Sequence, residues 1–325
     1  MSTSTSCPRG NDALMCGIAG IIYRDNDRAH TVGHDMTRML QSMKHRGPDS
    51  TGYALYGPPS DTVVMRCKFA DANDPRDFDF NERLERNQRE AERRLRALGA
   101  DVKKVERETD YACRITFDYD GDLKDLTDRI EDVTGAEVLS LGHSLEIIKD
   151  IGDAETVSNQ YHLDGFEGTH AVGHVRMATE SDVDISGAHP YWAYPFSDVA
   201  VVHNGQLTNY WQWKRRLERS GHRFQSMCDS EIIAVYIAEK LEGGMTLEEA
   251  MRQSLEELDG VFTYICVTGD ALGVAKDEMA AKPLVLYESD NLVALASEEI
   301  AIRAIIDHEI DTYDPYESEV LVWKR

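Results

Sequence analysis

Cys16 follows a methionine and opens the run MCGIAGI, Met15–Ile21. A cysteine at a mature N-terminus can be nucleophile and base in one residue, its thiol attacking while its own α-amine moves the proton. A free thiol titrates near about 8.5 and an α-amine near roughly 7.7 to 8.0, so the amine is poised as general base at neutral pH. That chemistry requires cleavage between Met15 and Cys16. Taken alone, the same cysteine reads as a small apolar residue in a buried first strand.

Five further runs carry chemistry: HRGPDSTG (45–52), GHVRMAT (173–179), AHP (188–190), HNGQLTN (203–209) and CDSEI (228–232). In this order and after an MCGI start, they resemble the class II glutamine amidotransferases, N-terminal-nucleophile hydrolases that release ammonia from glutamine. The resemblance covers residues 15–69 and about 138–325. It implies an α+β fold, a four-layer αββα sandwich with two central sheets covered by helices.

The resemblance also implies roles. Glutamine held by its amino-acid head needs a cation for the α-carboxylate and an anion for the α-amine, which match Arg176 and Asp229. An arginine fork meets a carboxylate bidentately, as a lysine does not. Each also reads as half of an ordinary ion pair at an element end. Thr179 either adds a hydroxyl to the pocket or closes a local turn. The Asn204 amide and the Gly205 backbone N–H match the family's oxyanion donors, and Asn-Gly is equally a hairpin signal. Arg46, Gly47 and Asp49 match a loop beside the nucleophile, where Arg46 is expected to hold the backbone around Cys16 rather than touch substrate. His189 matches a position near the site and also reads as structural. His45, His174 and His203 have weaker claims.

Within the class, GHVRMAT and HNGQLTN resemble the phosphoribosyl-pyrophosphate amidotransferases and the glutamate synthases. With RMATES (176–181), AHP and KDEMAAKP (276–283), the nearest resemblance is to the stand-alone, GlxB-type amidotransferase subunit of glutamate synthase-like enzymes, which includes N-methylglutamate synthase subunits. In that group the ammonia acceptor site, flavin and iron-sulfur clusters lie on other polypeptides. The implied substrate is glutamine, the implied partners are synthase subunits, and no cofactor is expected in this chain. No GxGxxG loop after a strand and no GxxxxGK[ST] loop is present in the sequence. An independent γ-glutamyl amide hydrolase and a non-catalytic regulatory subunit stay open.

Composition sets the outer bounds. With 325 residues, 42% of them hydrophobic, the chain can bury a full core as one large domain or as a domain with an insertion. A net charge of −24 argues against nucleic-acid and anionic-membrane partners and suits solubility or a basic partner subunit. No apolar run approaches the ~18 residues of a membrane span, and residues 1–14 lack the apolar centre of a signal peptide, so a cytoplasmic protein is expected. Cys7, Cys16, Cys67, Cys113, Cys228 and Cys266 lack CxxC spacing, which argues against a zinc or iron-sulfur site; disulfides are not expected. Ser2–Asp12 is polar and turn-prone, a leader or propeptide over 1–15 unless the true start is Met15.

Periodicity supplies the elements that must position these residues. Residues 15–23 read as a buried strand, 32–44 as a helix with Met36, Met39, Leu40 and Met43 on one face, and 52–56 as a strand. From Thr62 an apolar run to Ala70, a helix near 80–98, strands 101–107 and 111–119, a helix near 123–134 and an apolar run 136–141 read as β-α-β-β-α-β. This predicts a ferredoxin-like subdomain, residues 70–138, inserted between 16–69 and 139–325 and serving partner docking rather than glutamine chemistry. Beyond it, 171–176, 199–203, 261–267, 284–286 and 292–296 read as strands and 229–239 as a helix.

Overall fold

The computed structural model describes residues 16–25, 30–70, 74–177 and 188–325. Thr179 and the segment 1–15 lie outside the described residues. The chain begins with β1 (Gly17–Tyr23), α1 (Val32–Ser42), β2 (Ser50–Tyr56) and β3 (Val63–Lys68). It continues through α2 (Phe80–Ala97), β4 (Asp101–Arg107), β5 (Ala112–Asp118), α3 (Leu123–Glu131) and β6 (Glu137–Gly142). Next come β7 (Leu145–Ile151), α4 (Ala154–Tyr161), β8 (His170–Arg176), β9 (Tyr191–Trp192) and β10 (Ala200–Leu207). Three helices follow, α5 (Tyr210–Arg219), α6 (Asp229–Glu242) and α7 (Leu247–Glu257), then β11 (Gly260–Val267) and β12 (Ala271–Lys276). The chain closes with β13 (Val285–Glu288), β14 (Leu292–Ala296), α8 (Glu299–Arg303) and β15 (Val320–Lys324).

Among the described residues the strands form three antiparallel sheets: β13-β14-β1-β8-β2-β7, β15-β12-β11-β10-β9, and β4-β5-β3-β6. The first two face each other through β1 and β8 against β10, β11 and β12. The outer face of the first carries α1, α4 and α8, and that of the second carries α6 and α7. This is the four-layer αββα sandwich, an α+β fold.

Sequence dictates the layers. β1 sits between β14 and β8 and is covered on both faces, so Ile18, Ile21 and Ile22 are all fully buried and the strand reads as a continuous apolar run rather than an alternation. Each such side chain contributes about 1.5–3 kcal/mol by leaving water. In α1 the buried Met36, Met39 and Leu40 recur at helical spacing and lie on β8. α7 starts with a reciprocal capping box between Thr246 and Glu249.

The third sheet, with α2 and α3, has the strand order of a ferredoxin-like unit. Its inner strand β3 and its edge strand β6 reach beyond residues 70–138, so the folded unit runs from Val63 to Gly142. The reason is cooperative: α2 and α3 need a four-stranded floor, and the apolar runs flanking the insertion supply two of its strands. Cys67 and Cys113 pair across β3 and β5 as free thiols, with sulfurs 3.2 Å apart. The unit is fastened to the sandwich at a buried cluster, where Arg66 and Arg114 both bond Glu146 of β7, and at Asp150, which accepts from Tyr111 at 2.5 Å and Tyr161 at 2.8 Å.

Candidate active site

Strand register brings the chemistry together. Gly17 of β1 pairs with Val175 of β8, so Cys16 lies beside Arg176 at the same sheet edge, and Arg176 pairs in turn with Ser50 of β2. The facing sheet supplies β10, whose last residues include Asn204 and Gly205. A cavity of about 920 Å³ opens there, lined by Cys16, Arg176, His189, Asn204, Gly205 and Asp229 among others. Six of the residues singled out from sequence thus share one space, although up to 213 positions separate them (Cys16 to Asp229).

Two side chains grip the backbone of Cys16. The Cys16 carbonyl accepts from Asn204 Nδ2 at 3.1 Å and from Arg46 Nε at 3.3 Å. An amide NH₂ has two hydrogens, so Asn204 keeps one to give elsewhere. Arg46 also bonds Glu298 at 2.5 Å, which fixes its fork. Burial pushes the Cys16 thiol above its ordinary range; the Met177 N–H and the Arg176 and Arg46 guanidinium groups pull against that without cancelling it. The resting thiol is therefore protonated at neutral pH and needs a base to become a nucleophile.

Gly205 is a glycine for a steric reason. Its φ is +136°, and a Cβ there would lie 2.1 Å from the Val261 carbonyl oxygen. Gly47 answers to close approach instead: a Cβ would meet the Arg176 backbone at 2.4 Å, so the HRGPD loop presses directly on the end of β8. Asp49 belongs to that contact and does not line the cavity. Its N–H donates to the Arg176 carbonyl at 3.2 Å, and its carbonyl accepts from Gly152 at 2.9 Å.

Asp229 is the first residue of α6, where a carboxylate meets the positive end of the helix. Its Oδ2 accepts from the Leu207 N–H at 2.7 Å, which ties the helix start to the end of β10. Behind it lies a histidine cluster that the sequence did not bring together. Ser230 Oγ is fully buried and sits 2.6 Å from His189 Nε2 and 2.8 Å from His203 Nδ1, while His174 stacks on His189 at 4.2 Å. Desolvation, more than neighbouring charge, lowers the ring pKa to about 3 at His174 and about 4 at His203, and well below the ordinary value at His189, so all three are neutral at pH 7.

A serine hydroxyl donates one hydrogen, so of the two rings on Ser230 at least one donates to it. Among the described residues His174 Nε2, His189 Nδ1 and His203 Nε2 have no hydrogen-bond partner, and all three rings line the cavity. Lys282 and Trp211 also line it. Signals for several of these stood in the sequence: Ser230 within CDSEI, Lys282 within KDEMAAKP, His174 and His203 within their own motifs. Nothing local showed that they would converge. Among the described residues no group of three or more His, Cys, Asp or Glu side chains is arranged to hold a metal, and no helix is long and apolar enough to cross a membrane.

Comparison with known proteins agrees with this geometry. A family profile for a glutamine amidotransferase domain matches residues 174–304. A protein of Methanothermobacter thermautotrophicus with the provisional name glutamine amidotransferase is 40% identical over 94% of this chain and 99% of its own length. The glutamine amidotransferase-like protein GlxB of Rhizobium meliloti is 32% identical over 95% of this chain and 98% of its own. Among solved structures, glutamine phosphoribosylpyrophosphate amidotransferase from B. subtilis superposes with a TM-score of 0.58 at 19% identity, which speaks to fold alone. The alignment covers 95% of this chain and 47% of that one, so this chain spans about half of that larger protein. On fold, motif order and relatives alike, the chain belongs to the class II glutamine amidotransferases.

Proposed function

We propose that this chain is a glutaminase subunit that works from an N-terminal Cys16 and delivers ammonia to a glutamate synthase-like partner. The carrying observation is the Cys16 carbonyl held between Asn204 and Arg46 at the floor of a cavity that also contains Arg176 and Asp229. Holding that carbonyl fixes where the thiol and the α-amine of the same residue point. The raised thiol pKa makes a base necessary, and a freed α-amine is the one that travels with the nucleophile.

In this reading Arg176 takes the α-carboxylate of glutamine and Asp229 its α-amine. The α-amine of Cys16 accepts the thiol proton as sulfur attacks the γ-carboxamide carbon. The oxyanion is met by the second hydrogen of Asn204 Nδ2 and by the Gly205 N–H. Collapse breaks the C–N bond, the α-ammonium returns its proton to the leaving nitrogen, and ammonia departs. Water, deprotonated by the same amine, then cleaves the γ-glutamyl thioester to glutamate. The flavin and iron-sulfur chemistry of the acceptor reaction belongs to the partner, and the protein works in the cytoplasm.

Intact-mass analysis of active enzyme tests this. Loss of everything through Met15 is expected, and an active preparation that retains residues 1–15 overturns the mechanism.

A further inference from the structure

The segment His222–Cys228, which leads into Asp229, is held from two sides. On the sandwich side Glu231, buried in the first turn of α6, accepts from the Gln225 N–H at 2.7 Å, the Ser226 N–H at 2.8 Å and the Ser226 hydroxyl at 2.6 Å. On the other side the segment is tied to the inserted unit. Arg223 Nη1 donates to Asp128 of α3 at 2.6 Å, and Gln225 Nε2 donates to Glu131 of α3 and to the Val138 carbonyl of β6 at 3.2 Å. Met227 and Cys228, in the same segment, line the glutamine cavity with Asp229.

The seam between segment and unit is not tightly packed. A cavity of about 250 Å³ lies along it, lined by Glu131, Ala136, Glu137, Tyr194, Arg223 and Phe224. The direct links across that seam include the hydrogen bonds of Arg223 and Gln225 to α3 and β6. The unit itself is fixed by the buried Arg66–Glu146–Arg114 cluster and by Tyr111 on Asp150, so α3 and β6 offer a rigid reference.

We infer that Asp128, Glu131, Arg223 and Gln225 are positioning residues for glutamine binding: the inserted unit holds the 222–228 segment and thereby sets Asp229 against the substrate α-amine. This rests on the assignment of Asp229 under the proposed function. It gives the inserted unit a part in substrate affinity, whatever else docks on its outer face.

The test uses the purified full-length chain and its Arg223→Ala, Gln225→Ala and Glu131→Gln variants. Losing one such bond is expected to raise KM for glutamine about three- to tenfold in the two alanine variants, with kcat within about twofold. Glu131→Gln keeps an acceptor for Gln225 and is expected to retain the parent KM. Inhibition by glutaramate, which is glutamine without its α-amine, should be unchanged in all three. Arg223 is half exposed, so its variant keeps the fold, which the thermal midpoint checks. A parent that hydrolyses glutamine with alanine variants that keep its KM overturns this inference alone. Equal weakening of glutamine and glutaramate also overturns it, as general damage to the site. A parent that does not hydrolyse glutamine overturns the glutaminase reading beneath it.

Discussion

The sandwich and the inserted unit treat buried polarity in opposite ways. Around the cavity, His174, His189 and His203 are buried and neutral, and each leaves a ring nitrogen without a partner among the described residues. In the inserted unit charges are matched. At its junction with the sandwich, Arg66 and Arg114 converge on Glu146 of β7, and on its surface α2 carries exposed or half-exposed pairs such as Arg89 with Glu85 and Arg94 with Glu90. None of the chain's eleven histidines falls within residues 63–142. Burying a polar atom without a partner costs about 1–3 kcal/mol, so a fold tolerates several together mainly where a ligand completes them. The three histidine rings with an unmatched nitrogen all line the cavity.

That contrast can be broken. Its largest expected effect is in the sandwich: Cys16→Ala should abolish glutamine hydrolysis while leaving the thermal midpoint near the parent's, measured by coupled glutamate release and by calorimetry. Residual turnover well above background would mean that the cavity works through another nucleophile.

The junction of the inserted unit with the sandwich should respond in stability instead. Burial pushes the Glu146 carboxyl up, but Arg66 and Arg114 more than offset this and hold it below the usual range. Glu146→Ala strips both guanidinium groups of their shared partner and should cost about 3–5 kcal/mol in urea unfolding. Turnover per folded molecule should stay near the parent's. A fall in kcat per folded molecule would show that this junction is part of the chemistry.

Asn204→Ala should lower kcat by about 10² to 10³-fold, the usual effect of removing one oxyanion donor. Near-normal turnover would confine Asn204 to its bond with the Cys16 carbonyl.

The gentlest test sharpens the comparison through pH. His170, His174 and His203 titrate at about 4, 3 and 4 in the fold, chiefly because they are desolvated, against an ordinary value of 6.5. The unfolded chain takes up these protons below pH 6.5 and the folded chain does not. Stability is therefore fully present above pH 6.5 and is lost as pH falls toward 4, by up to roughly 1.4 kcal/mol per pH unit for each histidine. Arg176 and Lys282 beside the rings act in the same direction as burial, and Asp229 opposes it at His203. Urea titrations at pH 7, 6 and 5 should show the decline. His170→Gln, away from the cavity, should remove one proton from the slope without changing KM.

Much of this was legible in the chain. The apolar run of β1, the helical spacing of Met36, Met39 and Leu40, and the β-α-β-β-α-β order of the insertion all report local periodicity, which a sequence carries directly. Strands β9, β12 and β15 were not distinguished; β9 has only two residues, too few to show any period. The apolar runs that form β3 and β6 were legible as the unit's outer elements, but the predicted bounds 70–138 cut through them, and their pairing with β5 and with each other sets the limits at Val63 and Gly142.

By itself the sequence carried the motif order and the residue types that the family resemblance reads as a nucleophile, oxyanion donors and partners for a zwitterionic amide. Cys16, Arg176, Asn204, Gly205 and Asp229 are recognisable because short runs around each have a composition that ordinary turns and strands do not need. Tertiary structure alone decided that Ser230 joins His189 to His203 and that Gln225 leans on Glu131. Those contacts join residues 27 to 94 positions apart, brought together by strand order and the packing of one layer on another. Periodicity is local and survives in any stretch of chain; adjacency is a property of the closed core, and exists only once every layer is in place.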